Sequence, residues 1–222
     1  GGSLPALAEA CDDFKYVIKF RGAGHGTKAI ISELLGGLIA KHLELPVPEI
    51  VFVELDKAFG QTEADEEIQD LLKFSQGLNL GLHYLSGAIT YDVATNTCDP
   101  ILASKIVWLD SFITNVDRTF RNTNLLIWHK ELWLIDHGAS IYFHHSWDNW
   151  QKTSETPFPM IKDHALIKHA SELETVHKEF TEKLNDTFFR ELVNTIPDEF
   201  LNWEEGPSND EIRDVYFNFL SN

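Results

Sequence analysis

Apolar residues in the first half of the chain alternate between strand spacing and helix spacing. Residues 16–20, Y-V-I-K-F, form a β-rich run in which Lys19 shares one face of the predicted strand with Val17. After a glycine-containing loop at 22–26, apolar positions recur at helical spacing as far as Leu43. Two prolines shortly beyond this point end the predicted helix.

The rest of this half predicts further strands around an acidic helix. Residues 49–55 are a second strand, 63–74 are the acidic helix, and 78–90 contain at least one more strand. The order strand, helix, strand, strand indicates a small lobe. Residues 81–91 are the predicted hinge to the second half.

The second half is predicted to be mainly helical. Apolar spacing over residues 101–113 indicates a buried helix, and helical patterns return at 163–171, 173–195 and 209–221. The exception is a predicted hairpin at 125–135.

This hairpin brings three polar residues together. Two apolar runs around a tight polar turn near Lys130-Glu131 return the chain to where it started, so Asn122 and Asp136 lie side by side at one end. Asp117 lies on the loop that leads in. Amide and carboxylate oxygens suit Mg²⁺, which usually takes one or two carboxylates plus substrate phosphates. Asp117 is placed to accept the proton of an attacking hydroxyl, so the pattern predicts a phosphoryl-transfer site.

The residues alone leave structural alternatives open. The segment from Asp117 to Thr119 is also compatible with a simple turn and a surface ion pair, although the hairpin and the I-D-x-G ending favour chemistry. Lys19 is either an edge-strand lysine whose stem covers apolar neighbours or a phosphate-binding lysine. Glu33, on the flank of its helix, is either a solvated charge or the partner of Lys19.

Composition limits the class of partner. The 222 residues include 35 acidic and 18 basic side chains, and the net charge of −17 opposes non-specific binding to nucleic acid or anionic lipid. Two cysteines are too few for a disulfide framework. The low cysteine count favours the reducing cytoplasm as the location of the protein. No apolar run has transmembrane length. The ten histidines do not form a transition-metal motif.

With these motifs assembled, the chain resembles the HipA-like kinases, and specifically the compact kinase domain found as a stand-alone bacterial protein. The resemblance rests on G-G-S-L-P, Y-V-I-K-F, the helix with Glu33, L-P-V-P, W-L-D-S-F-I-T-N-V-D-R-T-F-R-N and L-W-L-I-D-H-G-A. It implies an α+β, bilobal protein-kinase-like fold, with a small β-rich N-lobe over residues 1–85 that holds one key helix and a larger, mainly helical C-lobe over 86–222. It also implies use of Mg-ATP and phosphorylation of serine or threonine on proteins.

The resemblance assigns a role to each candidate residue. In it Asp117 is the catalytic base, Asn122 and Asp136 hold Mg²⁺, Lys19 holds the α- and β-phosphates, and Glu33 positions Lys19.

Two further sets of residues are candidates for nucleotide binding. Gly1-Gly2-Ser3 resembles the remnant of a glycine-containing phosphate loop, whose free backbone amides approach phosphates, although a cloning scar explains it equally well. Leu85, in the predicted hinge, is the other candidate.

Departures from the eukaryotic pattern leave the acceptor open. Val116 precedes Asp117, His137 follows Asp136, and no A-P-E segment comes later. One alternative is a small-molecule phosphotransferase of the aminoglycoside or choline type, for which a closed acidic pocket is expected. The other is a nucleotide-binding pseudokinase that acts as an interaction module with a separate partner chain.

Overall fold

A four-stranded antiparallel sheet forms the first part of the computed structural model, which describes residues 4–24, 26–60, 63–203 and 206–222. Its strands are β1 (Ala6–Glu9), β2 (Lys15–Lys19), β3 (Ile50–Leu55) and β4 (Gly77–His83), in the order β1-β2-β4-β3. The sequence did not predict β1, because A-L-A-E consists mainly of good helix formers. Pairing of Ala6 to Glu9 with β2 overrides that preference.

Two helices accompany this sheet, and they differ in burial. α1 (Gly26–His42) contains a long run of buried residues, whereas α2 (Glu66–Phe74) buries only Leu72. Asp65 caps α2, since its side chain accepts hydrogen bonds from the backbone amides of Glu67 and Ile68. The interpretation of Glu33 as a solvated charge was wrong, since the residue is only 1% exposed.

A second sheet carries the predicted hairpin. It consists of β5 (Ile89–Thr90), β6 (Leu125–Trp128) and β7 (Glu131–Leu134), in that order. His129 and Lys130 form the turn, and both have positive φ angles, 49° and 69°, as the favoured two-residue hairpin turns require. The hairpin prediction is confirmed, with the turn centred one residue earlier than expected.

The hinge prediction needs a correction at its start. Residues 81–83 belong to β4, where they pair with β3 and β2, so the connection between the two sheets begins only at Tyr84.

Within the described ranges, six α-helices follow β5, separated by loops and short 3-10 turns. They are α3 (Pro100–Phe112), α4 (Trp150–Ser154), α5 (Leu173–Lys183), α6 (Asp186–Asn194), α7 (Asp198–Leu201) and α8 (Asn209–Ser221). The predicted helices at 101–113 and 209–221 are confirmed. The predicted helix at 173–195 is divided, because Leu184 is extended and the Asn185 side chain caps α6 by accepting from the Phe188 amide.

The predicted helix at 163–171 was wrong. Short 3-10 turns at Pro159–Asp163 and Ile167–His169 replace it. His164 between them has an extended backbone and forms an isolated β-bridge with Thr119, so a long-range contact interrupts the local helical pattern.

The core explains why α1 is buried so deeply. A large apolar cluster joins α1 to the hairpin and to helices α3, α5, α6, α7 and α8, and a small separate cluster lies under β2, β3 and α2. Thus α1 packs with the larger core although it lies among the sheet strands in sequence. Across the described ranges, no helix combines the length and apolarity needed to cross a membrane.

Candidate active site

A buried lysine joins two acidic residues from distant parts of the chain. The Lys19 Nζ atom lies 2.7 Å from Asp136 Oδ1 and 3.4 Å from Glu33 Oε2. Lys19 is 9% exposed, and β2 is an interior strand of its sheet, so the edge-strand interpretation of this lysine was wrong. Glu33 and Lys19 form the pair that the sequence suggested.

Charge keeps this pair ionised despite its burial. Burial alone would raise the pKa of the Glu33 carboxyl, but the positive charge of Lys19, with a smaller contribution from His137, holds that pKa well below its usual range. Burial likewise opposes the charged form of Lys19, and the charges of Glu33 and Asp136 outweigh it and raise the lysine pKa.

A hydrogen bond and close packing hold helix α1 against the segment that follows Asp136. The Ser32 hydroxyl donates to the Ser140 carbonyl at 2.6 Å, and His137 Nδ1 lies 3.7 Å from Glu33 Oε1. A Cβ atom on Gly36 would lie 2.8 Å from the His137 Cβ atom, closer than real Cβ contacts allow. The absence of a side chain at Gly36 therefore permits the approach that brings Glu33 to Lys19.

A second buried network holds the loop that carries Asp117. Asp110 on α3 is fully buried, and its carboxylate accepts from Arg118 Nε at 2.5 Å, Asn115 Nδ2 at 2.9 Å and His164 Nε2 at 2.8 Å. His164 Nδ1 accepts from the Leu166 amide, so the proton of the neutral ring lies on Nε2. Burial would raise the pKa of Asp110, but the Arg118 charge and the hydrogen bond from His164 hold it well below its usual range.

The network also holds the loop directly, since the Asn115 side chain accepts from the Asp117 amide at 3.1 Å. Asp110 and His164 were missed as partners. A signal for Asp110 was present, since it is the one acidic residue of α3 and directly follows the apolar run 106–109.

Asp117 itself is oriented by two amides. Asn122 Nδ2 and Asn124 Nδ2 both donate to Asp117 Oδ2, at 2.7 and 3.2 Å. Asn124 rather than Asn122 continues the hairpin register, since its carbonyl accepts from the Ile135 amide at 3.1 Å. Asp136 follows with a φ angle of 58°, a conformation that L residues rarely adopt.

One cavity connects these groups. Its volume is about 360 Å³, and Lys19, Glu33, Asp117 and Asp136 all line it. The structure therefore brings together four of the predicted site residues, from β2, α1, the loop after α3 and the end of the hairpin.

The other predicted residues lie elsewhere. Asn122 lines an adjacent cavity of about 390 Å³ together with Asn124. Leu85 is 5% exposed and packs in the interior, and it does not line the cavity. The candidate loop Gly1-Gly2-Ser3 falls outside the described residues.

Two ring-bearing residues from the chain after the hairpin also line the cavity, and neither was predicted as a site residue. Tyr142 and His145 contribute to its wall from the segment after Gly138, with their rings 4.8 Å apart. No spacing rule singles them out, because they lie in a short 3-10 turn that follows a left-handed residue, Ile141.

The donor chemistry fits a hard divalent cation. Asp136 has a carboxylate at the cavity and Asn122 an amide oxygen at the other one, and both are types of ligand that Mg²⁺ takes together with water and phosphate oxygens. Within the described ranges no three His, Cys, Asp or Glu side chains gather into a metal site.

The whole arrangement is typical of a kinase. A strand lysine paired with a helix glutamate, together with two aspartates at one cavity, is the set of parts that phosphoryl transfer uses. The chain belongs to the HipA-like kinase family, whose model matches residues 1–219. This confirms the resemblance seen in the motifs and supports a phosphotransfer function.

Among solved structures, the crystal structure of the proinflammatory kinase CtkA from Helicobacter pylori is similar to this chain. The likeness covers 97% of this chain and 88% of that one, with a TM-score of 0.58 and 10% sequence identity. At this identity it shows a shared mixed α/β fold. The search of curated proteins gave no match.

Proposed function

We propose that this protein is an ATP- and Mg²⁺-dependent kinase that transfers the γ-phosphoryl group to serine or threonine of a protein. The observation that carries the proposal is the single cavity lined by Lys19, Glu33, Asp117 and Asp136. In this proposal residues 1–85 and 86–222 act as two lobes, and the cavity lies where side chains from both meet.

Lys19 would bind the nucleotide phosphates. Its ammonium is kept charged by Glu33 and Asp136, and Glu33 is fixed by α1, so the cation is presented at a defined position. A positive charge kept at the cavity in this way stabilises phosphate oxygens.

Asp117 would act as the catalytic base. Both asparagine amides donate to Oδ2, and within the described part of the chain Oδ1 receives no hydrogen bond. The carboxylate is therefore held in one orientation with one oxygen available to accept the proton of the acceptor hydroxyl. That oxygen would take the proton as the hydroxyl attacks the γ-phosphorus.

Asp136 and Asn122 would hold Mg²⁺, which when bound supplies charge neutralisation on the phosphates. Asn122 has a second role in orienting Asp117, since its amide nitrogen already donates to that carboxylate.

Calorimetric titration of Mg-ATP tests the binding half of the proposal. Wild type should bind, and Asp136→Asn should lose the magnesium-dependent part of the affinity. Asp70→Asn, on the exposed surface of α2, is the matched control and should bind like wild type. Equal binding by wild type and Asp136→Asn would contradict the assignment of the metal site.

Phosphoryl transfer to a serine- and threonine-containing peptide library tests the chemical half. Asp117→Asn should lower the transfer rate by a factor on the order of 10²–10⁴ while nucleotide affinity is retained. Transfer to choline or an aminoglycoside instead of any peptide would establish the small-molecule alternative. Nucleotide binding without transfer to any acceptor would establish the pseudokinase alternative.

A further inference from the structure

A basic groove lies directly beside the catalytic loop of this acidic protein. The groove has a volume of about 610 Å³, and Arg121, Lys162 and Lys168 line it, with Asp163 as the one aspartate or glutamate among its described lining residues. This local excess of positive charge contrasts with the net charge of −17. We call this depression the basic groove.

The three cations of the basic groove have no acidic partners. Within the described ranges none of them forms a salt bridge, although Lys41, Lys105 and Lys183 elsewhere each pair with a glutamate. All three groove cations are exposed. Their charge is therefore available to a ligand rather than neutralised within the protein.

The groove is tied to the catalytic loop by the backbone. Thr119 forms a β-bridge with His164, and the Ala165 amide donates to the Arg118 carbonyl at 3.0 Å. The His164 ring, in turn, donates to the buried Asp110. A ligand in the groove is thus held at a fixed position relative to Asp117, which lies only two residues before Thr119.

An apolar contact is also available at the groove. Phe120 lines it and is 69% exposed, so its ring is accessible to an apolar side chain of a ligand.

We propose that the basic groove binds acidic side chains that flank the acceptor hydroxyl of a protein substrate. This inference rests on the proposed kinase function and names the acceptor class. A short segment rich in Asp and Glu would meet the three cations while a neighbouring apolar side chain contacts Phe120, and charge complementarity of this kind selects among partners. A long polyanion such as nucleic acid would extend beyond the groove onto a surface that repels it.

Peptide binding tests the proposal independently of catalysis. Three fluorescent peptides share a central serine and differ only in flanking residues, which are Glu, Gln or Lys, and their binding is followed by anisotropy. Wild type should bind the Glu peptide about tenfold more tightly than the Gln peptide, since each exposed ion pair contributes only a small increment. The Lys peptide should bind most weakly.

A charge-matched pair of variants isolates the groove. The groove variant carries Arg121→Glu, Lys162→Glu and Lys168→Glu and should lose the preference for the Glu peptide. The control variant carries Lys73→Glu, Lys152→Glu and Lys178→Glu, three exposed lysines outside the groove that form no salt bridge within the described ranges. It has the same net charge and should keep the preference.

Several results would overturn the proposal. These are an unchanged preference in the groove variant, an equal loss in the control variant, and tighter binding of a single-stranded oligonucleotide than of the Glu peptide. Transfer to the Gln peptide as fast as to the Glu peptide would also overturn it while leaving the kinase function intact. Binding of the Glu peptide without transfer to any acceptor would instead overturn the kinase function and leave the acidic-ligand assignment standing.

Discussion

Glu33 and Asp110 are both buried carboxylates with strongly lowered pKa values, yet their surroundings differ in one respect. Asp110 accepts three hydrogen bonds, from Arg118, Asn115 and His164. Glu33 meets Lys19 at 3.4 Å as an ion pair, and its Oε2 atom has no hydrogen-bond donor among the described residues. A fully satisfied carboxylate holds one arrangement, whereas an incompletely satisfied one leaves its partner able to respond to a ligand. The first is a scaffold and the second is part of the working site.

The largest expected effect on stability comes from removing the Asp110 carboxylate. Asp110→Ala leaves the Arg118 guanidinium, 1% exposed, without its counter-charge, and should destabilise the protein by about 3–5 kcal/mol. Urea unfolding measures the loss, with exposed Asp70→Ala as the control that should change stability by less than about 0.5 kcal/mol. A small effect at Asp110 would mean that the loop does not depend on this network.

The second prediction concerns the pH dependence of folding stability that the Glu33 and Asp110 carboxyls cause. Each has a folded-state pKa below its unfolded value near 4, so each contributes stability that is present above that pH and is lost as the pH falls through the folded value. Stability should therefore fall steeply below about pH 4. Lys19, with a raised pKa, loses its contribution only in strong alkali.

Urea midpoints measured between neutral pH and pH 3 test this dependence. Asp110→Asn and Glu33→Gln should each reduce the acid slope, and Asp70→Asn should leave it unchanged. An acid slope identical in all four proteins would assign the effect to other carboxylates.

A matched pair of glycine substitutions on α1 is expected to have the smallest effect. Gly36→Ala places a Cβ atom against the His137 Cβ atom next to Glu33, and should cost about 1–3 kcal/mol and lower transfer activity. Gly37→Ala meets the end of the Ile50 side chain, which is able to move, and should change stability with little change in activity. Unfolding and transfer rates measured on both proteins separate packing from positioning. Equal activity losses would show that α1 shifts as a whole.

The sequence pattern predicted correctly the elements whose conformation is determined by residues close in sequence. The hairpin and its turn, α1, α3 and α8 follow from spacing, prolines and turn chemistry. The strand β1 was not predicted, because its residues are good helix formers and only pairing with the neighbouring strand β2 makes them extended. The irregular chain around His164 was not predicted either, because its partners Thr119 and Asp110 are distant in sequence.

The same distinction applies to the site. Asp117 and Asp136 were recognised from the local hairpin pattern, whereas the roles of Lys19 and Glu33 came from the family resemblance. Asp110 was missed as their support, since its partner His164 is 54 residues away and no local rule joins them. Leu85 was assigned from its place in the hinge, and only the packing shows it buried away from the cavity.

The contact between Lys19 and Asp136 has a further consequence, for how ligands cooperate. A cation that binds Asp136 must compete with the lysine ammonium, and a phosphate that binds Lys19 must draw the ammonium away from the aspartate. Each ligand therefore releases the group that the other needs, and by linkage each raises the affinity for the other to the same degree. Under the proposed function, the internal ion pair would therefore make cation and nucleotide bind cooperatively, and either ligand alone would bind more weakly.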